Sequence, residues 1–365
     1  MALCFISKHT TALSRVSLAP HASTLIPRLR DSRRYASTTY TQPPLDFDAE
    51  KSILYAERGI VVVNKPRGLI CQRSDSPQSF NTLVSFLRDI QMHLGWKEDL
   101  QPVHRLDKNT TGSLILATRR HRAYLNSQFK ARGVKKRYLA VVRGGLKTFD
   151  GEDSGRICTL HSIDNHGKVS LGVWRPGLDK KELGPRQGRG AVSSWKLLSS
   201  SKTAPLSLLE LGLLTGAKHQ LRVHLARILK APVLGDTLYS DTELPPSVTD
   251  VVTVPADHIF LHARELCFVR HAATGEPLRV TVTAPLPPYF TRLCTKVGLT
   301  LTEQQVKGRV MQMGGGRWIN QLEDGRRVHP RFVVPPGECV EHHEYKGEEE
   351  TEWASEEGVA QTGPV

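Results

Sequence analysis

The chain has 365 residues, with 50 Lys and Arg against 36 Asp and Glu, a formal net charge of +14 and a pI near 9.6. It contains no run of about 18 apolar residues, which excludes a membrane-spanning helix. The six cysteines, at 4, 71, 158, 267, 294 and 339, show no C-x-x-C pairing, which fits a reducing compartment and argues against a disulfide scaffold or cysteine zinc site. No Walker loop or dinucleotide fingerprint is present, so no nucleotide cofactor is expected, and the basic excess points to a polyanionic partner.

Taken in chain order, residues 1–35 carry Lys8, Arg15, Arg28, Arg30, Arg33 and Arg34 against the single acid Asp31, among many Ser, Thr and Ala. This is the make-up of a mitochondrial transit peptide rather than of a secretory signal, which needs an uninterrupted apolar centre; a basic arm that stays on and touches the polyanionic partner is the alternative. Residues 36–51 read as a linker closed by Pro43-Pro44, and the fold proper begins near Ser52. Short apolar runs predict strands at 60–64, 113–117, 138–143, 206–214, 265–270 and 278–283, and helical periodicity predicts helices near 80–93, 119–131 and 217–230. Residues 150–190 are rich in Gly, Asp and Lys and read as an extended hairpin or a mobile insertion. Strands outnumber helices without a βαβ rhythm, which predicts an α+β fold with a mixed, mostly antiparallel sheet. The expected catalytic domain is 52–295 and a C-terminal extension is 296–337, in which Met311 to Trp318 places a Gly-rich turn between two strands. Nine acidic residues against Lys346 between Glu338 and Glu357 give a net −8, leaving +22 on the remainder; the tail 338–365 is expected to be disordered.

The chemistry concentrates in two segments. His104-Arg105-Leu106-Asp107, followed by Lys108 to Gly112 and the apolar run 113–117, mounts a carboxylate in a Thr/Gly-rich turn that Thr111-Gly112 is expected to close, at the lip of the core. There a single ionic partner decides its charge state. On its own an Arg-Leu-Asp triplet before a turn is more often a surface ion pair. The second segment, Thr215 to Leu229, reads as an amphipathic helix with Leu221, Leu225, Ile228 and Leu229 on one stripe. Arg222 falls at the edge of that stripe and Arg227 opposite it. A guanidinium at a core edge needs a carboxylate, because leaving it unpaired costs about 3 to 5 kcal/mol, and Asp107 is the candidate. Thr215 is the expected N-cap, and Gly216, Lys218 and the helix dipole suit a phosphate. His258 and His262 are four apart but have no third ligand nearby, so core or loop histidines are expected rather than a metal site.

His-Arg-Leu-Asp-x-x-Thr-Thr-Gly at 104–112, with Leu114 and Leu116-Ala117 beyond, resembles the catalytic motif of RluA-type RNA pseudouridine synthases. Thr-Gly-x-x-His-Gln-Leu-Arg-Val-His at 215–224, followed by Gly235-Asp236 and Tyr239, resembles their second motif. Weaker blocks occur in the family's order at 60–68, at 136–142 and at 261–271, so the resemblance covers about residues 50–290. Ala217-Lys218, Thr111 and His271-Ala272 depart from the family's usual Arg-Thr, Ser and His-Pro. The resemblance implies the pseudouridine synthase fold, with a sheet cleft across its middle. It implies Asp107, Arg222 and Tyr138 as catalytic residues, with Tyr138 packing on the target base; a core strand aromatic is the other reading of that tyrosine. It further implies substrate binding by Arg105, which enters the RNA beside the everted nucleotide, and by His104, Lys136, Thr215, Lys218 and Leu221, although a neutral His104 that only bonds the turn is the simpler reading of that ring.

The implied reaction consumes no redox equivalent, nucleotide or metal, so no cofactor is expected. The implied partner is RNA, with mitochondrial large-subunit rRNA first and mitochondrial tRNA second, bound by a monomer in the mitochondrial matrix. Clusters such as Arg119-Arg120-His121-Arg122 and Lys130 to Arg137 suit a phosphate backbone. The S4 RNA-binding module of many bacterial relatives is not expected before residue 50. A reading from another class is an RNA-binding or ribosome-assembly factor that keeps the fold without the reaction. A glycosidase would need a second acid facing Asp107, and the sequence offers no obvious one.

Overall fold

The computed structural model describes residues 47–71, 77–165, 167–173, 188–240, 242–315 and 317–319. The expected transit peptide and the acidic tail lie outside them. The elements run α1 (Ala49–Ser52), β1 (Ile53–Glu57), β2 (Ile60–Lys65), α2 (Pro77–Leu94), β3 (Leu100–Pro102), β4 (Thr111–Thr118), α3 (Arg119–Lys130), β5 (Lys135–Arg143), β6 (Ser154–Ile163), β7 (Val169–Val173), β8 (Arg189–Ser200) and β9 (Leu206–Leu213). There follow α4 (Gln220–Val223), continued by a π-helical turn (His224–Ile228), then α5 (Pro246–Thr249), β10 (Leu261–His271), β11 (Pro277–Thr283), α6 (Pro288–Lys296), α7 (Glu303–Val306), β12 (Arg309–Gly314) and β13 (Arg317–Ile319). Among the described residues these strands make one sheet in the order β1-β2-β4-β10-β5-β9-β8-β6-β7, extended from β10 through β11, β12 and β13.

Every pairing is antiparallel except that of β4 with β10, which lasts for two residue pairs, His262 with Thr111 and Ala263 with Gly112. The strands then part, and β3 takes the place beside β4. Gly112 is required at the crossing: its φ is +112° and a Cβ would lie 2.2 Å from the Ala263 carbonyl oxygen, a backbone that only glycine adopts cheaply. Central strands β2 and β4 are buried on both faces, which is why 60–63 and 114–117 read as unbroken apolar runs. On one face Val61, Val63, Leu114, Leu116 and Tyr138 pack against Phe86 and Ile90 of α2 and Leu221 of α4. On the other, Val62 and Ile115 meet Leu125 of α3, while Leu139, Val141 and Phe260 meet Phe290 of α6.

The predicted strands and the first two helices are present, several of them longer than expected. Within 150–190, where the sequence predicts a hairpin or a mobile insertion, β6 and β7 pair as a hairpin, while 174–187 lie outside the described residues; β12 and β13 are the two strands expected around Met311 to Trp318. The third helix differs. It starts at Gln220 rather than 217, because His219 adopts a left-handed backbone with φ 56°, so Thr215 is not its N-cap. From His224 it widens into a π-turn, in which Leu229 N–H donates to His224 O at 3.1 Å. The extra residue rotates the stripe, so His224 is buried in place of Ile228, which is 49% exposed. Thr111-Gly112 also lies inside β4 rather than in the turn. The turn is Asp107 to Thr110, closed by Thr110 N–H donating to Asp107 O at 3.1 Å.

Candidate active site

Asp107 sits in that turn, between β3 and β4. Leu106 anchors it in the core with Tyr138 and Leu221, and Lys65 ties it from below. The Lys65 ammonium is wholly buried at the end of β2 and donates to Pro66 O, Leu69 O and Lys108 O, each at 2.9 Å. Burial pulls its pKa down to about 8, opposed by Cys71 and Asp107; the carbonyl cage satisfies all three ammonium protons.

The α4 segment faces this turn. Gln220, buried, makes four hydrogen bonds: its amide donates to Val192 O (3.0 Å) and Ser193 Oγ (2.9 Å) and accepts from Thr215 Oγ1 (2.8 Å) and Ala217 N–H (3.0 Å). This locks the 215–219 loop to β8 and presents His219 and Arg222 toward Asp107. Arg222 Nη1 donates to Asp107 Oδ2 at 3.4 Å. The closer partner is Asp236, whose buried carboxylate accepts from Arg222 Nε at 2.7 Å and Nη2 at 2.8 Å. The sequence-based pairing of Arg222 with Asp107 is present, but the bidentate fork belongs to Asp236. Asp236 also accepts from the N–H groups of Leu238 and Tyr239. It follows Gly235, whose φ of +81° and 1.9 Å Cβ approach to His258 O leave room for no side chain. Burial works to lower the Arg222 pKa, but the bonds and charge of Asp236, then Asp107, outweigh it and raise it.

His219 closes the other side of the carboxylate, with Nε2 3.8 Å from Asp107 Oδ1 and Nδ1 2.8 Å from Tyr239 OH. The Tyr239 ring lies 5.2 Å from the Arg222 guanidinium carbon, within cation–π range. Burial lowers the His219 pKa against the pull of Asp107. Tyr138 is buried on β5, and burial followed by the Asp107 charge raises its phenol, so it stays protonated.

The remaining sequence candidates are spread around this centre. Arg105 is exposed on the turn's approach. His104 is not a surface group: its Nε2 accepts from Ile115 N–H at 3.0 Å, its ring stacks on Phe129 at 4.9 Å, and burial pushes its pKa down to about 3. It caps the β4 donor exposed where β10 parts from it, so the neutral reading of His104 fits and its partner is the strand rather than the turn. Lys136 lies 5.9 Å from the Phe129 ring, with its pKa lowered to about 8 by burial and then by Arg132. Thr215 bonds Val192 and Gln220, and Lys218 Nζ donates to Gly167 O at 2.8 Å on the β6–β7 turn. Leu221 is buried behind Asp107. His258 and His262 turn to different partners, Asp257 and Thr111. Among the described residues no cluster of three or more His, Cys, Asp and Glu side chains could hold a metal.

The family model for RNA pseudouridylate synthase matches residues 59–227, which contain both Asp107 and Arg222. The chain is 32% identical over 280 residues to ribosomal large subunit pseudouridine synthase D of Xanthomonas campestris, covering 73% of this chain and 77% of that protein. The chain belongs to the RNA pseudouridine synthases. As such it is an isomerase acting on RNA. A second relative of this synthase is the mitochondrial pseudouridylate synthase RPUSD4 of Mus musculus, 32% identical over 274 residues, which cover 70% of this chain and 72% of that one. The solved structure of human RNA pseudouridylate synthase domain containing 4 superposes with a TM-score of 0.55 at 27% identity, covering 70% of this chain and 96% of that one. The synthase's fold is that of its structural neighbour, a mixed and mostly antiparallel sheet with flanking helices.

Sequence reasoning gave no role to five residues of this centre: Lys65, His219, Gln220, Asp236 and Tyr239. Each stands inside a motif block, and the signal that could have found Asp236 was the demand of a core-edge guanidinium for a bidentate acceptor.

Proposed function

We propose that this synthase converts uridine to pseudouridine in mitochondrial large-subunit rRNA, with Asp107 as the catalytic carboxylate. The observation that carries the assignment of Asp107 is its position: it is the partly exposed carboxylate that shares the Arg222 guanidinium with Asp236 and whose charge acts on the Tyr138 phenol. In the reaction the N1–C1′ bond breaks, the base turns, C5 joins C1′, the C5 proton leaves and N1 gains one. Asp107 either adds to C1′ or draws a proton from C2′ to give a glycal, and both routes use its ionised form. Arg222, fixed by Asp236, holds the carboxylate in place. The protonated Tyr138 ring packs on the turning base, and Arg105 fills the gap that the everted nucleotide leaves, as a planar cation can. The protein acts as a monomer.

The mitochondrial assignment rests on the basic composition of residues 1–35 as a transit peptide and on the names of relatives. The catalytic domain is 52–295, and 296–337 is an extension whose β12 lies on the sheet edge at β11. The rRNA reading is supported by the Xanthomonas relative. A tRNA reading has support in the 30% identity over 266 residues to tRNA pseudouridine synthase C of Haemophilus ducreyi, 98% of whose length is covered. Mapping pseudouridines in mitochondrial rRNA and tRNA with and without the protein decides between them. Loss of an rRNA site, restored by wild type but not by Asp107→Asn, is the expected result. If every rRNA site survives, the substrate assignment is wrong.

A further inference from the structure

Beside the Asp107 turn, but outside it, a cleft of about 990 Å³ opens between α2 and the edge strand β3. Its volume is at the upper end of the range, about 300 to 1,000 Å³, in which small ligands bind. Leu87, Leu100 and Trp96 supply an apolar floor and wall, and Arg88, Arg105 and Arg122 stand among its lining residues against the single acid Asp99. Arg122 is steadied there by donating to Gln101 Oε1. Along the same helix Val84 and Met92, both lining the cleft, are 45% and 68% exposed, an apolar surface with no covering side chain among the described residues.

We propose that this cleft receives a second unstacked nucleotide of the RNA, a neighbour of the target uridine. The inference rests on the reading of Asp107 as the site of the target base. Arg105 links the two places, since it lines the cleft and is two residues from Asp107. Two residues span at most about 7 Å, so a strand whose target base enters at Asp107 reaches the cleft within a short step of sugar–phosphate backbone. Everting the target removes a stacking partner from its neighbours. A tryptophan with flanking leucines replaces that stack, and an arginine rim meets the phosphates. This combination of aromatic platform and basic groove is what single-stranded nucleic acid requires, with stacking worth about 1 to 3 kcal/mol per base. An apolar protein segment would bring no anion to the arginine rim, and a purely electrostatic contact would leave the apolar floor wet.

The test uses the full chain and a short oligouridylate as probe. Wild type, Arg88→Ala, Trp96→Leu and Asp107→Asn are titrated by anisotropy and by tryptophan fluorescence. The expected result is at least a fivefold weaker Kd for both Trp96→Leu and Arg88→Ala, with quenching on binding in wild type that Trp96→Leu loses. Unchanged affinity in both variants overturns the proposal. So does quenching that survives in Trp96→Leu, or a loss confined to Arg88→Ala, which marks only a basic surface. Arg88 is exposed, so its variant tests the cleft even if Trp96→Leu folds poorly; unchanged affinity in a folded Arg88→Ala then overturns it. Asp107→Asn is expected to bind the probe as wild type does. Retained isomerase activity in that variant would sink the catalytic assignment while leaving the cleft's own readout separate.

Discussion

The two carboxylates on the Arg222 guanidinium separate folding from chemistry. Asp236 has a fully buried side chain and accepts two short bonds from an arginine that is itself only 13% exposed. Replacing it with Ala removes the buried cation's bidentate partner and leaves only the 3.4 Å contact to Asp107, at about 3 to 5 kcal/mol, and removes the acceptor of the buried Tyr239 N–H, adding about 1 kcal/mol or more. Against a total stability of about 5 to 15 kcal/mol, Asp236→Ala should lose most of its resistance to urea. Asp107 is 19% exposed and its bond to Arg222 is 3.4 Å long, at the outer limit of a hydrogen bond, and Asn still offers an acceptor there. Asp107→Asn should therefore cost about 1 kcal/mol or less while abolishing turnover. Urea unfolding followed by circular dichroism gives the stabilities, and tritium release from RNA labelled at uridine C5 gives the activity, since C5 must lose its hydrogen. Equal destabilisation of the two variants, or tritium release by Asp107→Asn, would refute this division.

Two more outcomes follow from the packing. Burial holds the pKa of His104 near 3 and those of His224 and His262 near 4, all below the ordinary 6.5, so the unfolded chain binds protons that the folded one refuses. Stability is therefore lost as pH falls from about 6.5 toward 4, by roughly 3 kcal/mol for each fully buried imidazole; a urea midpoint that stays flat over that window would contradict their neutral burial. Gly112→Ala places a methyl against the Ala263 carbonyl at a positive φ. It should lower stability by at least ~2 kcal/mol and loosen the Asp107 turn that precedes it, read as a drop in both melting temperature and kcat. An unchanged melting temperature would show that β4 and β10 can part freely.

The sequence by itself determined the elements whose environment is uniform along their length. Strands β2 and β4 are buried on both faces, so an apolar run identifies them without knowledge of their neighbours, and α2 and α3 keep one period throughout. The two motif segments were legible for the same local reason, since Asp107 and Arg222 are marked by their immediate neighbours. What tertiary structure alone decided is which groups share a partner. Arg222 was legible as an arginine needing an anion, but its choice of Asp236 for the fork and Asp107 for the longer contact depends on where the 235–236 turn crosses α4. His104 was implied as a substrate contact by the resemblance, and its own neighbours suggested a neutral ring bonding the turn; the parting of β4 from β10 instead turns the ring inward as the acceptor of the Ile115 N–H. The left-handed His219 and the π-turn after Val223 are likewise set by contacts with β8 and the Asp107 turn. Periodicity records only how a side chain faces its own helix, whereas hydrogen-bond satisfaction in a buried site is settled among segments a hundred residues apart.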